Sequence, residues 1–275
     1  MLQNVLQLVH TEYKKYRKNS VALVLLGSFT VLCPLLILGA KRLFRYAPPP
    51  FPSPLSLMEL PMIWDYNAAI QQHLIYVLLG FFVITTLCGE VSNKTMRQNI
   101  ICGYTRGEYF TAKVASYIAI AFIASLLYFV STLILGFFHT DGASLSLLLD
   151  NNLLPVRYFL ACCGFMSFAL MVSLLVRRAG LAIFLYFGAI VMLEQMLRGL
   201  FVYITKSWSV SRYFPLNSFE DLLPNPFYKM PDFIDLPDGV DIQVVLPYSH
   251  AMLATIVYTA IFTWAAWVLM KKRDL

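Results

Sequence analysis

Six apolar runs, separated by shorter polar or proline-rich stretches, divide this 275-residue chain at about 21–40, 68–88, 114–138, 155–176, 179–203 and 247–270. Each approaches or exceeds the roughly 20 residues that cross a hydrocarbon core about 30 Å thick. The pattern predicts an all-α integral membrane protein, with six transmembrane helices in one transmembrane domain covering 1–275. Ahead of the first run, Leu2, Val5, Leu6, Val9, Tyr13 and Tyr16 recur at steps of three and four, with Gln7, His10, Lys14, Lys15, Arg17 and Lys18 on much of the other side. That spacing predicts an N-terminal amphipathic interfacial helix whose bases meet lipid headgroups. The run from Val21 to Ala40 exceeds the apolar core of a signal peptide and reads as a retained span, bent at Pro34.

The stretches between the runs differ in chemistry. Residues 41–67 hold Pro48, Pro49, Pro50, Pro52, Pro54 and Pro61 and read as an outer loop of extended chain. A second outer loop, 139–154, carries Asp141, Asp150, Asn151 and Asn152. The third, 204–246, sets Glu220, Asp221, Asp232, Asp235, Asp238 and Asp241 against Lys206, Arg212 and Lys229, among many aromatics. Within it Asn217 followed by Glu220 reads as an N-cap with a return contact, predicting a short helix through Leu223 that Pro224 ends. Pro155 and Pro247 open the fourth and sixth spans, where a missing donor costs nothing.

A hydrophobic fraction of 59%, only 13% charged residues and a mean hydropathy of +0.68 place the chain outside the usual soluble range. A net charge of +6 could signal nucleic acid, but the bases gather at span ends, where orientation and anionic membrane lipid account for them. No nucleic-acid partner is expected. Thirteen Lys and Arg fall on the side of the termini and seven on the other, so both termini are predicted in the cytosol and the chain in the cytoplasmic membrane. Cys33, Cys88, Cys102, Cys162 and Cys163 lie in spans or the cytosolic loop, which gives no disulfide framework.

One polar interlude organises the rest. Gly89 to Arg106 lies between two runs that each cross the membrane, and with Glu108 and Lys113 its neighbourhood holds four bases against two acids, the composition of a cytosolic loop. Glu90, Lys94 and Arg97 stand at helical spacings of four and three, predicting a short helix that Gly103 stops. The pattern Glu90-x4-Thr95-x-Arg97-x2-Ile100-x2-Gly103-x-Thr105-Arg106, set between the second and third of six spans, resembles the type-2 permeases of ATP-binding-cassette (ABC) exporters. Gly103 stands where many members place a proline.

The resemblance implies a definite set of properties. The loop is the coupling helix that docks on a cytosolic ABC ATPase subunit, through Glu90, Lys94, Thr95, Arg97, Gly103 and Arg106. ATP and Mg bind the ATPase, in two copies, and this chain binds no cofactor of its own. A second permease, identical or related, completes the pathway, and alternating access moves a substrate outward. Hydrophobic or peptidic cargo follows by analogy alone, and the segment between spans five and six is expected to re-enter the outer leaflet.

Two charges inside the fifth run need an explanation, because an acid or an Arg near a bilayer centre costs at least about 2.5 kcal/mol. Glu194 and Arg198 are four residues apart on one helical face, where they can neutralise each other or line a polar exit path. The chain carries no phosphate loop, no His-Glu-x2-His, no Gly-x-Ser-x-Gly and no Cys-x2-Cys, so no catalytic or metal residues are assigned. Two other classes stay open: a membrane-embedded enzyme using His73, Glu194 or His250, and a channel or scaffold without energy input. His73 alone at a span end reads more simply as hydrated.

Overall fold

The computed structural model describes residues 2–43, 58–140, 153–207, 209–223 and 245–272. Long apolar stretches leave the backbone no water to bond, and helices satisfy every N–H and C=O internally. Accordingly, the described residues form helices and no strand. In chain order these are α1 (Leu2–Lys18), α2 (Ser20–Leu43), α3 (Met62–Ser92), α4 (Thr95–Ile101), α5 (Arg106–His139), α6 (Leu154–Val176), α7 (Ala179–Thr205), α8 (Pro215–Glu220) and α9 (Tyr248–Lys272). Six of them, α2, α3, α5, α6, α7 and α9, are long and apolar enough to cross a membrane, an architecture compatible with a multi-pass membrane protein.

The packing centre is α6, whose small residues Ala161, Gly164 and Ala169 let neighbours approach, as small residues do between membrane helices. A polar ladder crosses the apolar interior beside it. Gln71 donates to Asn67 Oδ1 at 2.6 Å, Asn67 to Thr132 Oγ1 at 2.5 Å, and Tyr158 and Cys33 donate to Gln71 Oε1 at 3.1 and 3.3 Å. Four of the six long apolar helices are thereby tied together where an unpaired amide would be costly. Tyr158 also stacks on Tyr128, ring centroids 4.4 Å apart.

Several expected boundaries move. Helix α3 begins at Met62, inside the stretch read as an outer loop, because Asp65 and Asn67 are buried within the bundle. A wide turn at Ile75–Leu79 interrupts α3, and a second at Ala189–Leu193 interrupts α7. Helix α5 starts at Arg106, eight residues before its apolar run, since Thr105 caps it: Glu108 N donates to Thr105 Oγ1 at 3.2 Å and Thr105 N to Glu108 Oε2 at 2.9 Å. Pro34 lies within α2. Of the three outer loops, 44–57, 141–152 and 224–244 lie outside the described residues.

Helix α1 does form, and of the three residues it turns into the bundle only Tyr16 belongs to the expected apolar stripe. Leu8, Glu12 and Tyr16 are buried, whereas Tyr13 is 57% exposed. The apolar pattern misses this because the inward stripe carries an acid, and the acid is inward because a cation waits there.

Candidate functional site

The end of the molecule that holds the α3–α5 connection also holds α1 and the end of α9. Arg106 Nη1 donates to Lys271 O at 2.9 Å, joining that connection to α9. Glu90, in the last turn of α3, was expected on the exposed face of the short helix. It is buried instead, as the centre of an ion cluster. Lys113 Nζ bonds Glu90 Oε1 at 2.6 Å and also bonds Glu12 of α1. Lys15 closes the ring, 2.7 Å from Glu12 Oε1 and 3.3 Å from Glu90 Oε1. The Tyr109 hydroxyl donates to the other Glu90 oxygen.

Two carboxylates face two ammonium groups, so the cluster is neutral as a whole. Each side chain alone would be too expensive to bury; paired and hydrogen-bonded, they are tolerated. Lys113 also lies 5.6 and 5.7 Å from the ring centroids of Tyr16 and Tyr109. Burial, together with Tyr117 and the Glu12 and Glu90 carboxylates, pushes the Tyr16 hydroxyl far above its ordinary range, so it stays neutral there. The cluster fixes α1, α3 and α5 to one another at the base of the connection.

From that base the chain turns outward. Lys94 takes a left-handed conformation (φ 57°) and is the N-cap of α4, so the helix starts at Thr95 and excludes Glu90. Thr95 Oγ1 donates to Glu90 O at 3.1 Å, which fastens α4 directly to the end of α3. Met96 is the anchor, 3% exposed, while Lys94, Arg97, Gln98 and Ile101 face outward. Gly103 has φ +100°, which a residue with a Cβ rarely adopts, and it ends the α4 segment. Ile101, 75% exposed, puts an apolar side chain at the tip beside the Arg97 charge.

Of the residues picked out in the sequence, Thr95, Arg97 and Gly103 build the exposed α4 segment, Lys94 starts it, Arg106 joins it to α9, and Glu90 holds its base. The partners Glu12, Lys15, Tyr109 and Lys113 and the exposed Ile101 were missed. A Glu12-to-Lys15 step of three inside an otherwise basic helix was the available signal.

The polar pair of α7 sits at the other end. Glu194 and Arg198 are both buried, but no ion pair among the described residues joins them. The Glu194 carboxylate accepts from the backbone N–H groups of Leu216 and Asn217 at 2.9 and 2.6 Å. Arg198 Nη1 donates to Gln195 at 3.3 Å. Glu194 thus caps the first turn of α8 from another helix, a placement the N-terminal helix dipole favours. Asn217, expected as the N-cap, lies inside α8: Phe214 is the N-cap, Pro215 opens the helix, and the Asn217 amide bonds Arg212 O and Asp221 Oδ2, both at 2.8 Å.

Helix α8 is docked on three spans. Phe219 packs against Gly164, where a Cβ would lie 3.0 Å from its ring, and Thr255 of α9 donates to Ser218 O at 3.2 Å. His250 bonds the Tyr213 hydroxyl at 2.8 Å, and His73 bonds Ala69 O of its own helix at 3.1 Å. His73, Glu194 and His250 therefore have separate partners and form no shared centre. No group of His, Cys, Asp and Glu suited to a metal occurs among the described residues.

Residues 29–275 match a family described as a protein family of unknown function, DUF2705. No curated protein matches the chain.

Proposed function

The chain belongs to the DUF2705 family, whose description assigns no activity, and from the geometry we propose that it is the membrane-spanning permease subunit of an ABC transporter, driven by a separate cytosolic ATPase. The observation that carries this reading is the exposed α4 segment, held by a buried ion cluster between two spanning helices. A surface element that must transmit force needs a rigid base, and Glu90 and Lys113 supply one at the ends of α3 and α5. Arg97 and Ile101 offer a charge for register and an apolar side chain for contact.

In this mechanism ATP and Mg act on the partner. Closure of two ATPase subunits pushes α4 of each of two permease copies, and α3 and α5 carry the displacement into the pathway between them, exchanging inward- and outward-open states. In this reading the termini and α4 face the cytosol of the cytoplasmic membrane, an orientation that the excess of basic residues at that end supports. The direction proposed is export.

The test is affinity purification of this chain from its native membrane. The expected result is recovery of a subunit bearing a Gly-x4-Gly-Lys-[Ser/Thr] phosphate loop, at about one copy per permease. Arg97→Glu lowers that recovery at least about tenfold while the permease stays abundant, since one reversed surface charge affects encounter and register rather than insertion. Absence of any such ATPase from the wild-type complex overturns the proposal.

A further inference from the structure

A groove of about 690 Å³ runs between α5, α6 and α9. Its walls are mostly apolar, among them Phe110, Val114, Leu160, Met166, Trp264 and Trp267. Along α5 it reaches from Gly107 to Ile118, which at about 1.5 Å per residue is roughly 16 Å, close to one leaflet of a hydrocarbon core about 30 Å thick. Along α9, antiparallel to α5 here, it covers Ile256 to Trp267, the same depth. The groove therefore starts at the end of the molecule bearing α4 and stops near mid-bilayer.

Its mouth is charged. Arg106, one residue from Gly107, is bound to Lys271 O, and Lys271 Nζ lies 4.7 Å from the centroid of the Trp267 ring. Lys271 and Lys272 are exposed. The Trp267 ring in turn packs on Phe110, centroids 5.2 Å apart, so the apolar slot passes directly into the basic rim. Tryptophan at the interface with lysine and arginine just beyond it is the arrangement that meets phospholipid at headgroup level.

We propose that this groove is a binding site for one anionic phospholipid, with an acyl chain along α5 and α9 and the phosphate between Arg106 and Lys271. The charge of the rim selects the anionic headgroup, and the depth of the slot selects a full-length chain. The proposal rests on the six helices crossing a bilayer and is independent of the ATPase reading.

Native mass spectrometry of the purified full-length chain tests it, with phosphatidylglycerol and phosphatidylcholine of identical chains as probes. Dihexanoyl-phosphatidylglycerol serves as a headgroup-only control. The expected result is one retained phosphatidylglycerol per chain, with a preference of at least about tenfold over phosphatidylcholine, given two bases at the headgroup. Arg106→Gln with Lys271→Gln brings that preference below about twofold, and Ser167→Phe, at a residue of the α6 wall of the groove, fills the slot and lowers retention of both long-chain lipids. Equal binding of the two headgroups by the wild type, a preference surviving the double variant, or retention of the short-chain lipid equal to the long one overturns the site. So does Ser167→Phe changing the oligomeric state but not lipid retention, since the groove would then hold a second copy of the chain.

Discussion

Lys113 carries more of the proposed mechanism than any other single residue. It was readable in the sequence only as one more base in a cytosolic loop, yet it is 1% exposed and bonded to two carboxylates from different helices. Charge alone cannot tell a solvated lysine from a buried one; the difference lies in Glu12, supplied by a helix about a hundred residues earlier. Lys113→Gln leaves two carboxylates facing one ammonium and is expected to destabilise the chain by about 3–5 kcal/mol, the cost of breaking a buried ion pair. Glu90→Gln added to Lys113→Gln leaves Glu12 and Lys15 as a balanced pair, so thermal unfolding in detergent should show at least half the loss restored. A double variant no more stable than the single one would mean that charge balance is not what the cluster provides. Glu194 teaches the same lesson: its spacing to Arg198 was visible, whereas its use as a cap for α8 depends on a tertiary approach.

At the scale of elements, existence was legible and register was not. All six apolar runs became helices, because hydropathy over about 20 residues is a strong signal. The starts of α3 and α5 were hidden, since Asp65 is buried at the start of α3, and Asn67 and Lys113 are polar residues satisfied within the bundle rather than by water. Helix α8 was foreseen as a short helix, but its cap was misplaced onto Asn217. Its docking should depend on pH. Burial, with Glu194 and Asp221 nearby and only partly offset by Arg198, pushes the Glu220 carboxyl from 4.5 up to about 7. Burial likewise raises Asp221 from 3.8 to about 6, against the hydrogen bond from Leu246 N and the charge of Arg198. A carboxyl raised in the folded state binds more protons folded than unfolded, so the stability that these two groups contribute is present at low pH and is lost as pH rises through about 6 to about 7. Glu220→Gln should therefore narrow the difference in unfolding temperature between pH 5 and pH 8, gaining about 2 kcal/mol over the wild type at pH 8. An unchanged difference would mean that Glu220 ionises freely in the folded chain.

Across the whole molecule, α1, the α3–α5 connection and the end of α9 gather at one end, as the bonds from Glu12 to Lys113 and from Arg106 to Lys271 require. Those three stretches carry most of the bases that the sequence pattern assigns to one side. What the pattern could not convey is that the gathering is a single braced unit with α4 projecting from it. The claim that this projection meets an ATPase is tested most directly by a photo-crosslinking amino acid at position 101, introduced in cells that carry the native complex. A covalent adduct is expected between position 101 and a subunit with a phosphate loop, and none from position 210, exposed near α8 at the far end. An ATPase adduct from position 210 and not from 101, or no ATPase adduct from either position while the chain is properly inserted, would contradict that claim.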